Sequence, residues 1–332
     1  VVPERQVGWA ERPVGWAFVG TSGWVDSRFA PSVLAAGHRV VGAFGSSAPG
    51  SARFGEKYGC PAFGSLDELL ADDAVDAVWV ASPTAQHPGH ARAAAAAGHA
   101  VLVEKPLAVD LESARALATE VADRGVLAGT GFQHRFNPGV RAVAEALADG
   151  RIGTLSSLVV HHTMAGPPRP GTWRADPTQS GGWSIADLGT HLLDIAQFLL
   201  GDLDFWAARL SSPGRGLEVD DLSWVMLTRG EATVVMRAST GAPGPPSYIE
   251  ASGTDGWVRV TGFWTGGGRL TDSTGRDVEI PPADPYLAQV VAFSAAVAAR
   301  AVPGAEWDGA SIGDGVRVME WHTAAREFTE RR

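Results

Sequence analysis

Three short stretches of this chain carry residue types that could act together in chemistry. The first is Glu104-Lys105-Pro106, an acid and an amine placed where the apolar run Val101-Leu102-Val103 stops. Strand ends of this kind line active-site crevices. Pro106 removes a backbone donor, restricts Lys105 to extended geometry, and is one of the few residues before which a cis peptide costs little. A rigid corner presenting a lysine is one reading; a solvated charge opening a loop is the other. The second stretch runs Gly181-Gly182-Trp183-Ser184-Ile185-Ala186-Asp187-Leu188-Gly189-Thr190-His191. On a helix Asp187 and His191, four apart, share a face, and Gly189 leaves room for a ligand or a neighbouring strand. A neutral imidazole beside a carboxylate is a general base tuned close to neutral pH. A capping aspartate followed by a satisfied helical histidine fits the same spacing.

The third stretch is Gly20-Thr21-Ser22-Gly23-Trp24-Val25, directly after the first apolar run. A dinucleotide pyrophosphate needs a tight turn, close backbone approach and free helix N-terminal amides, which is why glycines recur there at fixed offsets. Only Gly20 keeps its glycine; Ser22 and Val25 fill the other two offsets, with Gly23 between them. A carboxylate after the second strand would accept from a free ribose 2′-hydroxyl and repel a 2′-phosphate. The chain has Ala43-Phe44-Gly45-Ser46-Ser47 there, so NADP is tolerated as well as NAD, with Ser46, Ser47 and Arg53 as its contacts, and the reading leans to NADP. Ser82-Pro83-Thr84 and His87 fit a loop along the nicotinamide side, His87 positioning loop and cofactor. The adjacent His161 and His162 alternate faces on a strand, and no compact Cys/His/Asp set is present, so no metal is expected.

These groups need elements to hold them. From Val14 the pattern alternates: strand to Gly20, helix to about Ala36, strand Arg39 to Phe44, helix to about Tyr58, a short strand near Ala62 and a helix Leu66 to Leu70. It continues with strand Val75 to Ala81, helix Ala85 to Ala97, strand Ala100 to Glu104, helix Leu111 to Ala122 and strand Val126 to Gly131. Continuous apolar strands separated by helices imply a parallel sheet covered on both faces, a doubly wound α/β Rossmann domain over residues 14–131. After Gly131 the rhythm changes. A helix Val140 to Ala148, a strand Leu155 to His162, a helix Asp187 to Leu200 and later strands joined by Gly-bearing turns predict an α+β domain over 132–332 with an open, mainly antiparallel sheet. Residues 1–13 read as a tail.

Composition sets limits. The 332 residues are 45% hydrophobic and 19% charged, with a formal charge of -10, which argues against nucleic acid or an anionic membrane surface as partner. No apolar run has membrane-spanning length, and no basic-then-apolar leader is present, so cytoplasmic residence is the expectation. The single cysteine, Cys60, fits a reducing compartment and reads as structural. An open sheet exposes an apolar face of the kind another subunit covers, so a homodimer or homotetramer is expected.

The chain resembles the glucose-fructose oxidoreductase/inositol dehydrogenase/rhizopine-catabolism family of NAD(P)-dependent sugar and cyclitol oxidoreductases. The likeness runs from Val14 through Glu104-Lys105-Pro106, Gly131-Phe132-Gln133-His134-Arg135-Phe136, Trp173-Arg174, Asp187-x-Gly189-x-His191 and Pro285-Tyr286-Leu287. It implies that Lys105 holds substrate hydroxyl and nicotinamide in register, that His191 exchanges the hydroxyl proton and that Asp187 orients or relays. It further implies a cis Lys105-Pro106 bond, cofactor contacts from Glu104, Trp173 and Arg174, and substrate contacts from Gln133 and Arg135. Trp183 stands where many relatives have a third glycine, so it would reshape the pocket or stack on a sugar's apolar face. Hydride transfer to or from a secondary carbinol of a sugar or polyol follows as the expected activity. The alternatives are an NAD-dependent glycosidase working by transient oxidation and a catalytically silent nucleotide-sensing regulator.

Overall fold

The computed structural model describes residues 12–166, 168–213, 216–241, 244–299 and 307–331. The tail read over residues 1–13 therefore lies outside the described residues as far as residue 11. In strands β1 (Gly15–Val19), β3 (Ala77–Val80) and β4 (Ala100–Val103), successive side chains go to opposite faces, as the pleat requires. Trp16, Phe18, Trp79 and Leu102 fill the core on one side; Ala17, Val19, Val78, Val80, Val101 and Val103 fill the other. With β2 (Arg39–Phe44) and β5 (Ala128–Thr130) they make a five-stranded parallel sheet in the order β2-β1-β3-β4-β5. The short strand expected near Ala62 is a single parallel bridge to Ala43. The chain winds from β1 to β2 on one side and to β3 on the other, so a crevice opens at the C-terminal ends of β1 and β3.

The second sheet has eight strands: β6 (Leu155–Thr163), β7 (Asp204–Ser211), β8 (Leu222–Arg229), β9 (Ala232–Ser239), β10 (Tyr248–Gly253), β11 (Trp257–Thr261), β12 (Gly268–Asp272) and β13 (Asp277–Ile280). Their order is β13-β12-β11-β10-β6-β9-β8-β7, antiparallel except where β6 runs parallel to β9. One face carries Leu158, Val160, Val225, Leu227, Val234 and Met236 against the helices Pro138–Ala148 and Thr190–Leu200. On the other face no element among the described residues covers Trp206, Trp224 and Trp257, which are 59%, 38% and 39% exposed. Arg237 lies over the Trp224 ring there, and Arg259 over Tyr248.

Both C-terminal helices return to the first sheet, although the sequence pattern places them wholly in the second domain. Val290 and Phe293 of the helix Pro285–Ala298 join the core around Trp16 and Trp79, and the Trp16 indole donates to Ser294 Oγ at 3.1 Å. Ile312 and Met319 of the helix Ile312–Glu330 close the opposite face, while its Val318 and Trp321 pack in the second core. The reason is apolar area: a sheet buried on both faces needs more cover than the helices of the first 131 residues supply.

Candidate active site

The crevice at the ends of β1 and β3 opens into a cleft of about 1140 Å³ lined by both domains. Every expected site residue lines it except Gly23, Val25 and Arg135. At its floor Gly20 has φ +118°, and a Cβ there would lie 2.4 Å from the Ala81 carbonyl oxygen, so the turn admits only glycine. Ser22 tightens the turn by accepting from the Val25 amide at 3.4 Å. Val25 itself is buried in the first core, and Gly23 faces open space. After β2, Ser47 caps the helix Ala48–Tyr58 by accepting from the Gly50 amide, and Arg53 reaches the cleft one turn further on.

The corner after β4 is tied from below and in front. The Lys105-Pro106 peptide is cis. His87 is buried between this corner and the loop after β3, with Nδ1 at 2.8 Å from the Pro106 carbonyl oxygen and Nε2 at 2.8 Å from that of Ser82; the single N–H of its neutral ring donates to one of the two. Burial pushes its pKa down to about 4 against the pull of those two acceptors. Glu104 accepts from the Trp79 indole at 3.1 Å, and burial, only partly offset by the Lys105 charge, raises its carboxyl to about 7. The Lys105 ammonium crosses the cleft and donates to the Asp187 carbonyl oxygen at 2.6 Å and to Oδ1 at 2.8 Å.

Asp187 lies in a π-helical turn, Ile185–Gly189, that runs into the helix Thr190–Leu200 carrying His191. The pairing of Asp187 with His191 expected from their spacing is not formed. An ammonium is the stronger partner for a carboxylate than a neutral imidazole, and Lys105 takes it. Burial, the Lys105 charge and the rings of His134 and His162 hold the His191 pKa well below the usual histidine range, which favours the neutral imidazole, the form with a lone pair free to accept a proton. Its Nδ1 is buried without a partner, which leaves Nε2 as the nitrogen facing the cleft. Beside it, a Cβ on Gly189 would lie 3.2 Å from Met236 Cε, so the space that glycine leaves is taken by β9.

Gln133 donates to the Tyr286 hydroxyl at 2.9 Å, and the Trp24 indole donates to the same oxygen at 3.2 Å. Trp183 lines the opposite wall, held by its indole donating to the Gly166 carbonyl oxygen at 3.3 Å; Trp173 lies there too, with the Arg174 guanidinium over its ring. Arg135, read as a substrate contact, is instead buried in a bidentate pair with Asp194 and reaches Asp314 at 3.1 Å. A guanidinium with so little solvent needs carboxylates around it, and the helix interface supplies them. The spacing of single residues gave no sign of His134, Trp264 or Tyr286 as wall residues; His134 and Tyr286 stood only in stretches that carried the resemblance. Among the described residues, no three His, Cys, Asp or Glu side chains are grouped to hold a metal, and no helix is long and apolar enough to cross a membrane.

Residues 14–132 match the family model described as "Oxidoreductase family, NAD-binding Rossmann fold", and residues 140–259 match that of the GFO/IDH/MocA C-terminal domain. A 1,5-anhydro-D-fructose reductase of Ensifer adhaerens is 31% identical over 323 residues, covering 92% of this chain and 95% of the relative. A D-xylose 1-dehydrogenase (NADP(+)) of Haloferax volcanii is 29% identical, covering 95% and 97%. Among solved structures, a 3-ketoreductase from Actinomadura kijaniata in complex with NADP and TDP-benzene superposes with a TM-score of 0.84 at 26% identity, covering 96% of this chain and 98% of that one.

Proposed function

The chain belongs to the Gfo/Idh/MocA family of oxidoreductases, and on that footing we propose that it is an NAD(P)-dependent dehydrogenase or reductase acting on a secondary hydroxyl or ketone of a sugar, cyclitol or related polyol. The observation that carries the reading is the Lys105–Asp187 pair, set beside the Nε2 face of His191 and across the cleft from the Gly20 turn. An ammonium has three donors; Asp187 takes two, which leaves the third for an oxygen entering the cleft that Lys105 lines. His191 Nε2 is the atom we assign to take the hydroxyl proton in oxidation and return it in reduction.

The Gly20 cradle, closed to any Cβ, and Ser22 would hold the cofactor pyrophosphate. Ser46, Ser47 and Arg53 would hold the adenosine ribose end, which favours NADP, and Ser82, Pro83 and Thr84 would lie along the nicotinamide. When bound, the nicotinamide ring accepts or supplies the hydride. Trp173 and Arg174 close the cleft from the second domain.

The uncovered tryptophan face of the second sheet supports assembly into a homodimer or homotetramer. The buried, solitary Cys60 supports a cytoplasmic, reducing setting. The test is to follow reduced-nicotinamide absorbance with NADP+ or NAD+ against D-xylose, D-glucose and myo-inositol. Net reduction with at least one is expected. Glycoside cleavage with no net change in the cofactor would replace this reading with a transient-oxidation glycosidase, and cofactor binding without turnover of any polyol would favour a nucleotide sensor.

A further inference from the structure

Behind the reacting groups the cleft wall is made of histidine and tryptophan. His134, from the turn Gln133–Phe136 after β5, and His191 meet edge to face with ring centroids 5.0 Å apart. Trp264, from the turn Phe263–Thr265 after β11, touches both, at 4.3 Å from the His134 ring and 5.6 Å from that of His191, and stacks on His162 at 3.8 Å. His134 is 3% exposed and its Nδ1 is buried without a partner. Its Nε2 is therefore the nitrogen left for the cleft, which His191 lines as well. The Lys105 charge bears on both rings. Burial pushes His134 down to about 3, so it meets a ligand as a neutral imidazole, one donor and one acceptor, which matches a hydroxyl and gives no charge to a carboxylate or phosphate.

We propose that His134 is a second hydroxyl-binding group, so that the site selects substrates bearing a hydroxyl on the carbon next to the reacting one, with the carbon skeleton against Trp264. This rests on the hydride-transfer reading given above. His191 and Lys105 engage the reacting oxygen; His134, one ring away, is placed for its neighbour. The specificity comes from omission: a substrate without that hydroxyl leaves a buried imidazole nitrogen unpaired, which costs more than the hydrogen bond contributes when made.

The experiment compares reduction of 2-hydroxycyclohexanone and cyclohexanone by NADPH, in which the reacting carbon is fixed. The unmodified protein should favour the hydroxyketone in kcat/KM by about 10-fold. His134→Phe, which keeps a ring against Trp264, should bring the ratio close to unity, and His134→Gln, which keeps a donor and an acceptor, should restore much of it. His134→Leu gives the same reading should the phenylalanine variant misfold. A merely structural role would slow both ketones alike, and an unchanged ratio in the variants would overturn the assignment. So would a starting protein that does not favour the hydroxyketone, including one that reduces neither ketone. In that case the polyol assay run alongside tells whether hydride transfer itself survives.

Discussion

Lys105 and Asp187, 82 positions apart, are joined by two hydrogen bonds from one ammonium, to the backbone carbonyl oxygen and to the carboxylate of the same residue. The contact fastens the end of β4 in the first sheet to the π-turn that leads the His191 helix in the second domain. It also fixes the direction of the remaining N–H.

From that geometry, Lys105→Ala and His191→Ala should lower turnover by about 10² or more, with NADPH affinity within a few-fold of the starting protein. Asp187→Asn should cost less, about 10-fold, because the backbone carbonyl and an amide oxygen still accept from Lys105. Steady-state kinetics with the best polyol reads all three. Near-normal turnover in His191→Ala would move proton transfer to another group.

Two glycines three residues apart should behave oppositely. Gly20→Ala places a Cβ 2.4 Å from the Ala81 carbonyl oxygen at φ +118°, and should abolish the rise in melting temperature that NADPH produces. Gly23→Ala meets nothing within 4 Å and should keep that rise. Equal behaviour of the two would remove the Gly20 turn from the cofactor site.

With no acid after β2 and with Arg53 facing the cleft, NADPH should bind at least as tightly as NADH in calorimetric titration. Arg53→Ala should weaken NADPH by about 10-fold and leave NADH nearly unchanged, since only the 2′-phosphate offers the guanidinium a charged partner. A tenfold or greater preference for NADH would contradict the assignment of the ribose end, at about 1.4 kcal/mol.

Acid should weaken the fold before it affects isolated carboxylates. Burial holds His134 at about 3 and His162 and His322 at about 4, with His191 well below its ordinary value. An unfolded histidine titrates near about 6.5, so between these values the unfolded chain binds more protons, and stability present above that range is lost as pH falls. Glu104 at about 7 and Asp194 at about 6 work in the opposite sense, their share fading as pH rises. The histidines are the larger group, so the melting temperature should drop from roughly pH 7 to pH 5. A flat profile would show that the imidazoles are not desolvated.

In sedimentation at micromolar concentration the protein should run as a dimer or larger. Trp206→Glu combined with Trp224→Glu, on the uncovered sheet face, should shift it toward monomer without lowering the melting temperature of the subunit. A monomeric unmodified protein would rule out that face as an interface.

Much of the first domain was legible because its signals are local. Each strand is a short apolar run closed by a turn, and Gly20 and Lys105-Pro106 mark the ends of β1 and β4 by their backbone properties alone. The second domain was legible in part. β7 carries Trp206 and Arg209 outward with only half-buried residues inward, and β13 is exposed along most of its length, so neither shows the clean alternation that marks a strand. Arg135 was misread because an arginine beside a glutamine and a histidine looks alike whether it faces a ligand or a buried aspartate 59 positions later. His134 stood only in a stretch that carried the resemblance, and Trp264 escaped notice, for a related reason: neither has a partner nearby in sequence, and the tryptophan reaches the histidine from the turn after β11.

The bond from the Trp16 indole to Ser294 spans 278 positions. Trp16 and Trp79 are fully buried only because a helix near the other end of the chain lies over them. During synthesis, then, the nucleotide-binding half emerges with its largest aromatic side chains uncovered, and that face is shut only after the helix Pro285–Ala298 has followed. A fragment ending at residue 131 would present those rings to water and to other copies of itself, so it would aggregate rather than fold as an independent module.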